Sequence, residues 1–392
     1  MPAYDKLKTH LVDKSPKSGQ PWITLLVSQV NLYFMTKRIT GIDFARALAI
    51  IGMIIVNFKM VIGSEGSGWA LDFAELFSGR AAALFVVLAG VGIGLMTRKA
   101  YESGDSAPLL LARKRLFNRA AFLFVVGLTY YWIWPADILH FYGVYMLVTL
   151  LVIRWKPRAV LRLAVGLVLL FPLLSSIFDY ESGWDFVSLD YLDFWTVEGF
   201  TRNLFFNGFH PVIPWVAFML LGLWFGRQRL NDDAFVWRVG LVATGVFAAV
   251  CLFSWEAQSL VPPSADLSAE DIKTIFGLEP MPPLPLYMIN GGSLALAVTA
   301  ACILLTRRWE ASFPVRSLVG MGKLALTFYV AHVVIGMGLY EVFSGGPLGG
   351  ATATFSVVYA LLFSLGCWVF ALLWGRYFRA GPLEWVMRKV TD

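Results

Sequence analysis

The chain has 392 residues, of which 58% are hydrophobic, 15% aromatic and only 15% charged, against roughly a quarter charged in soluble domains. Its mean hydropathy of +0.67 is too high for a water-exposed fold of this size, which excludes a disordered chain and an ordinary soluble protein and makes lipid the solvent for most of the sequence. The net charge of +6 then matters by position, as a topology signal, and no nucleic-acid partner is expected.

Residues 1–40 form a polar N-terminal segment with lysines and His10, ending in an apolar run at 22–35 that is too short to span and is interrupted by Gln29 and Asn31. An interfacial helix suits that pattern. No small-residue cleavage site follows it, so no cleavable signal peptide is expected, and Met35-Thr-Lys-Arg resembles a translation start. Beyond it, ten runs approach the 20 or so apolar residues that a spanning helix needs. They fall at 41–63, 80–97, 118–134, 136–153, 160–178, 212–226, 235–255, 285–306, 318–340 and 354–378. The expected organisation is a membrane domain over 41–380 followed by a short cytoplasmic tail at 381–392.

The connections alternate in charge. Lys37 and Arg38, then Arg98, Lys99, Arg113, Lys114 and Arg115, then Arg154, Lys156 and Arg158, then Arg227 and Arg229, then Arg307 and Arg308 mark one side. The intervening connections carry Glu65, Asp72 and Glu75, then Asp137, then six acids from Asp179 to Glu198, then Asp266, Glu270, Asp271 and Glu279, then Glu341. A missed helix would put every later loop out of phase, so the alternation supports an all-α polytopic protein of about ten transmembrane helices with both termini cytoplasmic.

Polar residues inside the apolar runs are the functional candidates. Asp43 and Arg46 are three residues apart, on one helical face, and the pair lowers the cost of an arginine about a turn inside the membrane. Arg46 is either a snorkelling interfacial side chain or a basic group guarding a cytoplasmic entrance. Asn57 lies eleven residues further on, roughly 16 Å along the axis, where an interhelical hydrogen bond is the plain alternative to a function. Gly90, Gly92 and Gly94 sit within an apolar run and suit close helix packing rather than a phosphate loop. Arg80 either binds an anionic substrate group or pairs with Glu75.

His140 follows Asp137 by three residues, a spacing with which a carboxylate can orient an imidazole, or with which an aspartate simply caps a helix. His210, before Pro211 and Pro214, falls in an outer loop. His332 lies nine residues past Lys323, near mid-membrane, where an ionisable group is unfavourable without a cavity or a partner. Cys251, Cys302 and Cys367 lie in apolar runs with neither paired spacing nor a His/Cys cluster, so neither a disulfide framework nor a metal site is expected.

Residues 38–57, Arg38-Ile-Thr-Gly-Ile-Asp-Phe-Ala-Arg-Ala-Leu-Ala-Ile-Ile-Gly-Met-Ile-Ile-Val-Asn, resemble the opening of the YeiB-like and heparan-alpha-glucosaminide N-acetyltransferase families of membrane proteins. Further similar phrases are Phe77-Ser-Gly-Arg-Ala-Ala-Ala-Leu-Phe, Asp137-Ile-Leu-His-Phe-Tyr-Gly, Pro214-Trp215 running into Leu221-Gly-Leu-Trp-Phe-Gly-Arg, and Met321-Gly-Lys-Leu-Ala-Leu-Thr-Phe-Tyr. The resemblance spans about residues 38–380. It implies transfer of an acyl group, typically acetyl, from cytoplasmic acetyl-CoA or another acyl-CoA to an amino or hydroxyl group of a sugar across the membrane.

The first helix also resembles that of acyltransferase type three proteins, in which a functional histidine follows the arginine by eleven positions. Here that position is Asn57, and the first outer loop, 58–79, holds no histidine. The family's base is therefore not carried over. The candidates are His332, or His140 with Asp137, as base, and Asn57 or Tyr329 as oxyanion donor. Arg46, Lys37, Arg38, Arg113 and Arg115 are available to anchor CoA phosphates, and Arg80, Tyr329 and His210 to contact the acceptor. Expected partners are the bilayer, acyl-CoA and a saccharide or glycolipid acceptor, with self-association left open and the plasma membrane as the site. A secondary transporter or flippase of an envelope precursor is the alternative, although inverted repeats and mid-membrane carboxylates are not visible.

Overall fold

Apolar runs punctuated by glycine become a helical bundle in the computed structural model, which describes residues 38–392 apart from 67, 104, 105, 187, 265, 266 and 347. The chain divides into Met1–Ile39 and one unit, Thr40–Asp392. The run at 22–35 and Lys37 lie outside the described residues.

In chain order the helices are α1 Thr40–Ile62, α2 Trp69–Glu75, α3 Arg80–Ser103, α4 Ser106–Tyr130, α5 Leu139–Leu151 and α6 Pro157–Ser175. A two-residue hairpin, β1 Trp184–Asp185 with β2 Asp190–Tyr191, precedes α7 Val197–Arg202, which runs into a π turn at Asn203–Asn207. Then come α8 Val212–Gly226, α9 Asp233–Leu260, α10 Ala269–Phe276, α11 Pro285–Arg308 and α12 Phe313–Gly322. α13 Ala325–Ala331, a second π turn at His332–Met337, α14 Gly338–Ser344, α15 Ala353–Trp374 and α16 Pro382–Thr391 complete the chain.

All ten expected runs are helical, and the protein is an all-α multi-pass membrane protein. Among the described residues seven helices are long and apolar enough to cross a bilayer, and an eighth span results if Val197–Asn207 and Val212–Gly226, bent by 47°, are taken as one. The other two runs depart for physical reasons. α4 places Arg113, Lys114 and Arg115 in its first half and Arg119 near its middle, and α5, with 13 residues, covers about 20 Å of a hydrocarbon core about 30 Å thick.

The basic connections meet one another. Arg98 Nη1 donates to the Gln228 carbonyl at 3.2 Å, Arg227 donates to the carbonyls of Ile153 and Trp155, and Arg307 reaches Asp233 and the Leu230 carbonyl. Four connections far apart in sequence thus share one basic end of the bundle. At the other end the Ser356 hydroxyl donates to the Gly63 carbonyl at 2.7 Å, and Tyr287 OH to the Gly79 carbonyl at 3.0 Å.

The glycines of α3 form a packing seam against α8. A Cβ at Gly90 would stand 2.1 Å from the Met219 carbonyl oxygen, and one at Gly222 2.0 Å from that of Val87. No side chain fits there, so the two backbones approach closely enough for dispersion contacts to replace the hydrophobic drive that lipid does not supply. α1 packs against α3, α11, α12 and α15 and is the centre of the other half of the bundle. By contrast α9 buries only Val236, Ala243 and Ser254, and α6 only Val160, Ala164 and Phe171. Both are peripheral.

The run at 318–340 is not one helix. It breaks between α12 and α13, and the N–H groups of Leu326 and Thr327 in the first turn of α13 donate to Glu384 Oε1 at 2.7 and 3.1 Å, while Thr327 Oγ1 donates to Oε2 at 2.5 Å. A carboxylate suits a helix N-terminus because it satisfies orphan donors and complements the dipole. Residues 381–392 therefore form a docked helix rather than a loose tail. α16 also lies on α4, where Asn118 donates to the Thr391 carbonyl at 3.2 Å and Arg119 pairs with Asp392 at 2.8 Å.

Candidate functional site

Two histidine constellations meet around Tyr329. The first grows from the turn between α4 and α5, where Asp137 is fully buried. Asp137 Oδ2 accepts from the backbone N–H of Leu139 at 2.8 Å and of His140 at 3.2 Å, and also lies 3.2 Å from His140 Nδ1. The aspartate is thus both a helix cap and the partner of the imidazole. Its other oxygen accepts from Tyr329 OH at 3.0 Å, and that hydroxyl in turn accepts from the Ile138 N–H at 3.1 Å. Gly127 makes the room, since a Cβ there would stand 2.2 Å from the His140 nitrogen.

The second constellation joins α1 to α13. Asn57 Nδ2 and His332 Nε2 are 2.9 Å apart, so the asparagine does make an interhelical hydrogen bond, and its partner is the mid-membrane histidine. His332 opens the π turn and is 1% exposed, among the rings of Tyr329, Phe58 and Trp134. A π turn locally re-aims side chains. The pairing of residues 275 positions apart is invisible to sequence spacing.

A cavity of about 140 Å³ lies against both constellations, on the side of the bundle away from Arg46. Asn57, Tyr329, His210 and Trp215 line it, together with Ser78 and apolar side chains of α1 and α3. His332 and Asp137 stand one hydrogen bond behind that wall, through Asn57 and Tyr329 respectively. His210, expected in an open loop, is half-buried; its carbonyl accepts from Tyr145 OH at 2.5 Å and its ring packs on Trp215. Trp215 is fully buried and its indole N–H has no partner among the described residues. A buried donor left unmet in a cavity wall is a place for an acceptor atom to bind.

An aromatic cap closes the end of the cavity away from Arg46. Trp184, Tyr191, Phe194 and Tyr131 cluster, and Phe209 and Met281, which also line the cavity, rest against them. Arg202 holds Asp193 with two bonds of 2.8 and 2.7 Å and donates to Tyr191 OH at 2.8 Å. Asn207 ties the hairpin down, accepting from Tyr191 OH and donating to the carbonyls of Tyr180 and Ser182.

The remaining candidates are spread out. Arg80 does not meet the Glu75 carboxylate, which pairs with Lys59; it donates to the carbonyls of Glu75 and Leu76 and, through Nε, to Asn290 Oδ1 at 3.2 Å. It stands beside Gly79 at the cavity rim. Arg46 pairs with Asp43 at 2.7 Å and is 27% exposed, with Gly92 leaving space at its guanidinium. Arg38 is exposed ahead of α1, Arg113 is exposed on α4, and Arg115 is half-buried. No direct contact joins these cations into one site among the described contacts.

Sequence reasoning missed Trp215 as a donor and Glu384 as the anchor of α13. An acid in the first turn of the last amphipathic run, ahead of Arg388 and Lys389, was the available signal for Glu384.

Two families match overlapping parts of the chain. Residues 228–392 match a family described as proteins of unknown function (DUF418). An uncharacterized protein, YxaH, of Bacillus subtilis (strain 168) is 24% identical over 421 residues, covering 93% of this chain and 97% of that protein. An uncharacterized 39.9 kDa protein of the amylase 3' region of Bacillus acidopullulyticus is 23% identical over 376 residues, covering 91% and 94%. Residues 38–254, which carry Arg46, Asn57, Asp137, His140, His210 and Trp215, match the catalytic model of heparan-alpha-glucosaminide N-acetyltransferase, and the chain belongs to that family of membrane acetyltransferases.

Proposed function

We propose that this protein moves a short acyl group, acetyl by the size of its cavity, from acyl-CoA at the basic, cytoplasmic side of the plasma membrane to an amino or hydroxyl group of an envelope saccharide or glycolipid on the other side. The observation that carries this reading is the disposition along α1. Arg46 marks the basic end, and Asn57, eleven residues and roughly 16 Å further on, opens on the cavity between the two histidine constellations. CoA is a large polyanion that stays in water, whereas its thin pantetheine arm can carry a thioester inward. Arg46 is the cation best placed to hold a phosphate at that mouth, with Arg38, Arg113 and Arg115 adding field rather than contact.

At about 140 Å³ the cavity is smaller than the roughly 300–1,000 Å³ of common ligand pockets. It admits a two-carbon acyl group and leaves the saccharide outside, under the aromatic cap. The acceptor must lose a proton as it attacks. Asn57 occupies His332 Nε2 in the free protein, and an acceptor N–H or O–H arriving from the cavity would replace that amide, leaving His332 as general base. Negative charge developing on the thioester oxygen would meet the Trp215 N–H, with Asn57, once displaced, as a second donor, and collapse of the tetrahedral intermediate would break the C–S bond, the proton taken up by His332 passing to the departing sulfur so that CoA leaves as its thiol. Asp137 and His140 hold Tyr329, which walls the cavity between them and His332.

Inside-out membrane vesicles given labelled acetyl-CoA on the exposed basic side and amino sugars in the lumen test the proposal. Label should appear in luminal sugar and depend on His332. Label transfer only when acetyl-CoA is sealed in the lumen would reverse the orientation, and acceptor transport without acylation would replace the enzyme by a carrier.

A further inference from the structure

Independently of the acyl-transfer site, a second and larger cavity of about 720 Å³ opens sideways between the peripheral helices α6 and α9, floored by α8 and α11. Its walls are hydrocarbon: Val165 and Val168 of α6, Leu221 of α8, Val242 and Val246 of α9 and Gly292 of α11. The cleft exists because α6 packs on α8, and α9 on α11, while α6 and α9 do not pack on each other over any extended stretch. Val165 is 57% exposed and Val242 67%, so the cleft faces the bilayer. Along α9 its lining runs from Phe235 to Val246, about 16 Å of membrane depth.

The two charged residues in its wall, Arg229 and Arg238, both stand at the basic end. Arg229 makes only a long, exposed ion pair of 4.0 Å with Asp232, and Arg238 bonds through Nε to the Ala234 carbonyl at 3.2 Å, with no carboxylate partner among the described residues, so both guanidinium groups keep donors for a phosphate. A long apolar slot ending in two arginines at the level of the lipid headgroups is complementary to a molecule with a hydrocarbon chain and an anionic phosphate. Basic pockets between membrane helices recognise acidic lipids in this way.

We infer that this cleft is a binding site for an anionic diacyl phospholipid, with an acyl chain lying between α6 and α9 and the phosphate on Arg229 and Arg238. The choice of a bilayer phospholipid follows from the lateral opening, through which a chain already in the membrane enters without crossing water. Its floor reaches the catalytic layer, since Phe218 lines the cleft and its ring lies 5.3 Å from that of Trp215. A seated lipid therefore braces α8 from behind.

The test is native mass spectrometry of the full chain released from detergent, with phosphatidylglycerol, phosphatidylcholine or a polyprenyl phosphate added at equal concentration. Phosphatidylglycerol should be retained over phosphatidylcholine by about 30-fold, at roughly fivefold per arginine near the headgroups. The double variant Arg229→Gln/Arg238→Gln should bring the two lipids level, and Val242→Trp, which fills the slot from the lipid side, should lower retention of both. Equal retention of the two phospholipids by the unmodified protein, or an anionic preference that survives in the double variant, would overturn the site. So would arginine-dependent binding of polyprenyl phosphate without phosphatidylglycerol. A salt series on the unmodified protein needs no variant, and an anionic preference insensitive to ionic strength would also sink the assignment.

Discussion

The two buried histidines beside Tyr329 differ in what holds them. His140 sits on the carboxylate of Asp137, which also caps α5 and accepts from Tyr329. His332 sits on a neutral amide, Asn57, which itself forms part of the cavity wall. A histidine whose partner carries several other hydrogen bonds is fixed in place, because displacing the partner would strand buried donors. One whose single described side-chain partner faces a cavity can exchange that partner for a substrate. In the first arrangement Nδ1 is held by a carboxylate and the partnerless Nε2 is buried away from the cavity lining, whereas in the second Nε2 faces an amide that is itself part of the lining, so we propose the chemistry for His332 and the positioning for Asp137 and His140.

The largest expected effect separates them. His332→Ala should lower single-turnover transfer by about 10²–10⁴-fold, the usual range for a lost general base, while acyl-CoA binding persists. His140→Ala should instead lower the melting temperature and reduce transfer through a displaced Tyr329, with the pH profile of the residual rate unchanged. Equal rates in His332→Ala and the unmodified protein would remove the base from this residue; a shifted pH profile in His140→Ala alone would exchange the two roles.

Trp215→Phe keeps the ring and deletes the unpartnered N–H. If that N–H meets the oxyanion, kcat falls by about 10²-fold with KM little changed, the loss expected for one such donor. A change confined to KM would make Trp215 a packing residue of the cavity wall.

Further from the cavity, Arg46→Ala should weaken acyl-CoA binding by about tenfold, the value of one charge-assisted contact, and make the remaining affinity less dependent on salt. Arg227→Ala provides the contrast. Arg227 is buried, bonds to the carbonyls of Ile153 and Trp155 and lies over the Tyr101 ring, so its loss should destabilise the protein by about 1–3 kcal/mol and leave the affinity of the folded fraction unchanged. A folded Arg46→Ala protein of full affinity would take that arginine out of the CoA site.

The smallest effect concerns the cap. Arg202→Ala loosens the hairpin from α7 by breaking the pair with Asp193, partly exposed at the surface, and should lower stability by no more than about 1 kcal/mol. KM for the saccharide should rise while KM for acyl-CoA stays fixed. A rise in both would show that the cap supports the whole bundle rather than the acceptor entrance.

Much of the fold was legible because lipid imposes a simple rule. Backbone polar groups must be satisfied within each span, so apolar runs of sufficient length become helices, and the charged connections between them report their phase. The same rule marks Asn57, Asp137 and His332 as out of place. The glycines at 90 and 94 were legible as packing residues for a similar reason, since a helix in lipid gains from close approach. The break before α13 was not legible, because the residues that stabilise it, Thr327 and Glu384, are 57 positions apart, and nothing in the local pattern at Lys323 and Leu324 requires a helix to stop.

By itself the sequence determined that this is a multi-pass helical membrane protein, that its family is one of acetyltransferases, and which polar residues are too costly in lipid to be incidental. Tertiary structure decided how they combine: that Asn57 meets His332, that Tyr329 bridges to Asp137, and that Trp215, whose buried N–H has no partner among the described residues, lines the same cavity. The physical reason is that burial cost is a property of each residue and its local run, whereas a hydrogen bond between helices depends on the angle, depth and rotation at which they pack, and those are set by glycine seams and breaks distributed over the whole chain.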